Sequence, residues 1–131
     1  MLVDPRISVS EGHRLGERAR QRVLDAHPEV ADVLVHIDAE EDQSFMSSCA
    51  ELPDRDALMA HLHGLLGEEA AGIEKTVLHY LGNRVEAEVF LPPQTCLDAT
   101  RMTRLEQRIA GQLDADPFFR AISLNCRVAP K

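Results

Sequence analysis

Between Ser8 and Ala26 apolar side chains recur at helical intervals, with Leu15, Ala19 and Val23 stacked on one face among charged neighbours. Ser8 occupies the position of an N-cap and Glu11, three residues on, gives the spacing of a capping box. The helix is expected to stop at DAHP, because Pro28 cannot continue it and pushes His27 toward extended backbone. The period then falls to two. Asp32 to Asp38 reads D-V-L-V-H-I-D, a strand with Val33, Val35 and Ile37 on one side and Leu34, His36 and Asp38 on the other.

Residues 39–53 are acidic and serine-rich, with no core period, and read as a linker. Asp54 to Leu66 predicts a second helix, with Leu58, Leu62 and Leu65 or Leu66 on one face and Gly67 just past its end. Two strands follow, Ile73–Leu81 and Arg84–Leu91, joined through Gly82-Asn83, a pair able to take the positive φ angles of a tight hairpin. A third helix is predicted from about Leu97 to Ala115, with Met102, Leu105, Ile109 and Leu113 in register, and a last strand from Phe119 to Val128. The order over 54–131 is therefore α-β-β-α-β. The tail of that unit repeats the start of the chain: a capped helix, then DADP in place of DAHP, then a strand. These elements predict an α+β protein of ferredoxin-like units, helices packed on antiparallel sheet, one unit complete at 54–131 and one partial at 1–38. Met1 to Ile7 would be the end of a strand that starts earlier in a longer protein.

Composition narrows the function. With 131 residues, 44% of them hydrophobic, the chain has apolar material for a core. A formal net charge of −8 makes nucleic acid or an anionic membrane a poor partner and a cation a natural one. The three cysteines, Cys49, Cys96 and Cys126, are odd in number, far apart and without a CxxC pair, so neither a disulfide framework nor a zinc ribbon is expected, and a reducing compartment is the simplest assignment. Cys126 reads as a small buried apolar residue. His61 and His63, two apart on a helix, point in different directions and read as solvent residues, whereas His79 reads as a satisfied strand histidine. No signal peptide or membrane span is apparent, which predicts a soluble chain. No phosphate loop, nucleophile elbow or Cys/His catalytic signature points to an enzyme.

The remaining chemistry lies in the first forty residues. His36 and Asp38 share a strand face, so an imidazole and a carboxylate can reach one divalent cation together, and His13 on the preceding helix is a third candidate. The stretch VDPRISVSEGHRLGE, followed by PEV and DVLVHIDAEED, resembles the cytoplasmic C-terminal domain of cation diffusion facilitators, dimeric transporters that export Zn²⁺, Fe²⁺, Mn²⁺ and related ions such as Cd²⁺ by proton antiport. The resemblance implies a metallochaperone-like α-β-β-α-β fold, homodimerisation, attachment to the transmembrane domain of a parent transporter in the inner or plasma membrane, and His13, His36 and Asp38 as metal ligands. The family's further histidines would fall before Met1. In the second unit Asn125 and Arg127 align with His36 and Asp38, and Thr100 or a neighbour with His13; an arginine cannot ligate a cation, so that unit is expected to be structural. Three readings follow: a metal-binding regulatory and dimerisation domain, a structural assembly module with incidental histidines, and, least favoured, a metal-dependent hydrolase.

Overall fold

The computed structural model describes residues 1–39 and 51–126. The chain divides into two compact units, Met1–Met46 and Ser47–Lys131. Most of the expected linker at 39–53 lies outside the described residues, as do Arg127 and Val128.

In the first unit α1 spans Val9–Ala26, and the Ser8 side chain accepts the Glu11 N–H at 3.1 Å, as a capping residue should. The His27 N–H closes the last turn on the Val23 carbonyl. The buried residues of α1 are Gly12 and Gly16, while Leu15 and Val23, the expected core positions, stay exposed. The physical reason is the partner. Helix α1 faces a single extended segment, and the side chains of Val35 and Ile37 fill the space above the two glycines; a Cβ built on Gly16 would lie 3.0 Å from Ile37 Cδ1. Residues 32–38 do alternate in burial as a strand would, with Val33, Val35 and Ile37 half-buried and Leu34 and His36 exposed. Their backbone pairing is confined to one parallel bridge, Leu2 with Asp38, held by Val3 N–H to the Asp38 carbonyl and Asp38 N–H to the Met1 carbonyl, each 2.9 Å. The strand expected at Asp32–Asp38 is thus an extended segment with one rung, since a ladder forms only where a neighbouring backbone runs alongside. Arg20 on α1 anchors it by an ion pair of 2.5 Å to Asp32, whose carboxyl is held below the usual range first by that hydrogen bond and then by the Val33 N–H.

The second unit follows the predicted order. Helix α2, Arg55–Leu66, is capped by Asp54 and ends at Gly67, with a 3₁₀ turn over Gly67–Gly72. Gly67 has φ +58°, and any side chain there would strike the Arg108 guanidinium, which bonds the Leu66 carbonyl; glycine meets both demands. Strands β1, Lys75–Leu81, and β2, Arg84–Leu91, form an antiparallel hairpin. Only Gly82 takes positive φ, at +67°, so the turn has the II′ pattern rather than two left-handed residues. A short helix α3, Pro93–Leu97, precedes α4, Ala99–Leu113, whose N-cap is Asp98. Strand β3, Phe119–Cys126, then runs parallel to β2, in the sheet order β1-β2-β3. The sheet is therefore mixed rather than wholly antiparallel, because the β2–β3 connection is a helical crossover that returns the chain in the same direction. The fold is α+β as expected. Leu58, Leu62, Leu65 and Leu66 of α2, Val85, Ala87, Val89 and Leu91 of β2, Leu105 and Ile109 of α4 and Phe119 make the core.

One expectation about the cysteines is corrected here. Cys96 and Cys126 form a disulfide, with Cα atoms 6.0 Å apart, and Cys126 is exposed rather than a buried apolar residue. Their separation of 30 residues carries no local signal; the crossover alone brings the end of β2 to the end of β3.

Candidate functional site

The extended segment of the first unit sets the candidate ligands. His36 and Asp38 project from its outer face, and His36 Nδ1 lies 2.7 Å from Asp38 Oδ1. The imidazole is 83% exposed and the carboxylate 25% exposed, the latter also facing the N-terminal amine of Met1 at 3.7 Å. Nδ1 and Oδ1 thus face each other, and the two atoms that share a hydrogen bond here are the two that one ion could take together. His13 stands elsewhere. It borders two surface hollows on the inner side of the segment, one of about 400 Å³ with Val3, Asp4, Ile7, Gly12 and Ile37, the other beside Arg20, Asp32 and Val35. The structure thus brings His36 and Asp38 together and leaves His13 on the helix beside Ile37. Among the described residues no group of three or more His, Cys, Asp or Glu is placed to hold a metal ion. The donor chemistry of His36 and Asp38 suits Zn²⁺ and its neighbours, but two donors fall short of the four that zinc ordinarily takes.

The second unit holds two polar pairs. His61 was expected to face solvent but is two-thirds buried, with Nε2 2.6 Å from Asp116 Oδ2, its ring stacked over Phe119 and edge-on to Phe118. Asp116, 3% exposed, also accepts the N–H groups of Phe118 and Phe119 at 2.9 and 2.7 Å. Burial alone would push this carboxyl up. The hydrogen bonds from His61, Phe119 and Phe118 outweigh it and hold the group below its ordinary value. A residue in DADP thus ties α2 to the turn before β3, a role that only the packing of α2 on that turn reveals. His79 is a satisfied strand histidine as expected, buried and paired to Glu88 at 2.9 Å across the hairpin.

Residues 1–40, which contain His13, His36 and Asp38, match the family model of the cation efflux protein cytoplasmic domain. The first unit is thus similar to that domain over nearly all of its described residues. A curated relative, metal tolerance protein C1 of Arabidopsis thaliana, is 32% identical over 77 residues, 59% of this chain. That stretch is longer than the 46 residues of the first unit, so the similarity reaches into the second. The chain spans 15% of the length of that relative. No solved structure matches the chain. No described helix is long and apolar enough to cross a membrane.

Proposed function

We propose that this chain is part of the cytoplasmic region of a divalent-cation efflux transporter, where the cation efflux unit pairs with a second copy of itself and binds a Zn²⁺-like ion through His36 and Asp38. The observation that carries the reading is the His36–Asp38 contact on an open face within the family-matched residues. That face also exposes Leu34 at 97% and Leu2 at 59%, apolar surface suited to a self-complementary two-fold contact. One copy supplies two donors; two copies related by a two-fold axis supply four, the number a closed zinc site requires. An ion held between copies favours the paired arrangement over the separated one, which is how metal level would bias an attached transmembrane part. Here Leu2 and Leu34 supply the apolar contact.

Calorimetric titration with Zn²⁺ tests the site. The expected result is about half an ion per chain, with binding weakened at least tenfold in a His36→Ala, Asp38→Ala variant and changed less than about twofold in His13→Ala. Sedimentation should show more dimer with Zn²⁺ than with chelator at neutral pH, and the difference should shrink on acidification as protons compete with the ion for imidazole. A midpoint unmoved in the double variant removes the metal site. A dimer equally populated with chelator and with Zn²⁺ favours the second reading, an assembly module held by apolar contact, for which exposed Leu2 and Leu34 are the specific support.

A further inference from the structure

The disulfide of the second unit occupies an unusual place for a covalent staple. It joins α3, which directly follows β2, to the last residue of β3, and so fastens the final rung of the parallel pair, Leu91 with Cys126. Among the described residues β3 is an edge strand, bonded to β2 alone, so its end is held from one side only. The first unit also contains a parallel rung, between Leu2 and Asp38, held by backbone hydrogen bonds. Cys126 is exposed, open to attack by an external thiolate. Cys96 is half-buried with Sγ 3.9 Å from the Leu91 carbonyl, an acceptor waiting for the thiol that reduction would create. Glutathione and thioredoxin systems keep cytosolic thiols reduced, and disulfides found there are mostly transient or redox-sensing.

From these placements we infer that Cys96–Cys126 is a reversible thiol–disulfide clasp that fixes the end of β3 when oxidised and releases it when reduced. The inference rests on the cytoplasmic assignment but not on the metal site. In the reducing direction a thiolate of a dithiol donor attacks Sγ of Cys126, forming a mixed disulfide and expelling the Cys96 thiolate, which takes up a proton and turns to the Leu91 carbonyl. The donor's second thiolate then displaces the Cys126 thiolate, which is protonated in turn. The donor leaves as a disulfide, and two electrons and two protons have passed to the protein. Oxidised glutathione drives the reverse, through a mixed disulfide that the neighbouring cysteine resolves with release of reduced glutathione.

The test equilibrates the full chain in glutathione buffers of graded ratio, then counts thiols by alkylation and mass and follows amide exchange. Beyond Cys49, two thiols, mapped to Cys96 and Cys126, should appear as reduced glutathione comes to predominate and disappear again on reoxidation. Exchange at Leu124 to Cys126 should rise about tenfold or more in the reduced form, with Val85 to Val89 unchanged. A Cys96→Ser, Cys126→Ser variant should show the fast exchange under every condition; should that variant misfold, the reduced wild type provides the same reading. Failure of the bond to form with oxidised glutathione, its persistence in excess reduced glutathione, or unchanged exchange at the end of β3 would each overturn the inference. None of these readings involves Zn²⁺, so they stand or fall independently of the metal titration.

Discussion

Replacing Asp116 by alanine tests the assignment of a buried carboxylate as the clamp between α2 and the turn into β3. The carboxylate accepts three hydrogen bonds, from His61 Nε2 at 2.6 Å, Phe119 N–H at 2.7 Å and Phe118 N–H at 2.9 Å. Alanine removes all three. The Phe119 bond is buried, so its N–H is left without water or partner, at a cost of about 1–3 kcal/mol. Phe118 and His61 are only partly buried and recover water, which limits the loss there to roughly 0.5–1.5 kcal/mol each. The total is about 4 kcal/mol, which for a unit of this size lowers Tm by roughly 16–32 °C. Asparagine keeps an oxygen for the two backbone N–H groups but loses the charge opposite His61, so Asp116→Asn should cost about 1 kcal/mol. Thermal melts followed by circular dichroism, with the disulfide intact, read both values, and amide exchange at Phe119 locates the effect. An Asp116→Ala protein melting within about 3 °C of wild type would show that the turn is held by the packing of Phe119 alone, and the clamp would be refuted.

The same carboxylate sets a pH dependence. Its folded-state pKa lies below the ordinary value, so its contribution is present above the unfolded pKa of about 3.9 and is lost as pH falls through the folded value. The Tm gap between wild type and Asp116→Asn should therefore be full near pH 6 and shrink once pH falls below the ordinary carboxylate range; a gap that widens on acidification would contradict the assignment. In the first unit Gly16→Val should force α1 away from Ile37, whose Cδ1 is already 3.0 Å from where a Cβ would sit, at about 1–3 kcal/mol. Amide exchange should rise at Asp38 and leave β2 untouched, while Gly16→Ala should be far milder, because the Ile37 tip can shift and alanine favours the helix by about 1 kcal/mol.

Local chemistry made much of the chain readable in advance. The capping residue Ser8, the leucine period of α2, the glycine turn at Gly82 and the alternation from Val33 to Ile37 all act within a few residues, so sequence by itself determined these elements, the α+β class and the pairing of His36 with Asp38 two positions along one face. The likeness to cation efflux domains was equally present in a contiguous stretch. What tertiary structure decided depends on elements meeting across the fold. Gly12 and Gly16, not Leu15 and Val23, became the buried positions of α1 because the partner is one bulky segment that sits close to the helix. His13 and His36 were separated because α1 lies against the Ile37 side of that segment, away from the face that carries His36. His61 found Asp116, and Cys96 found Cys126, across 55 and 30 residues, contacts that no local period encodes. They exist because the helical crossover returns β3 parallel to β2 beneath α2, and only a closed chain path places those side chains side by side.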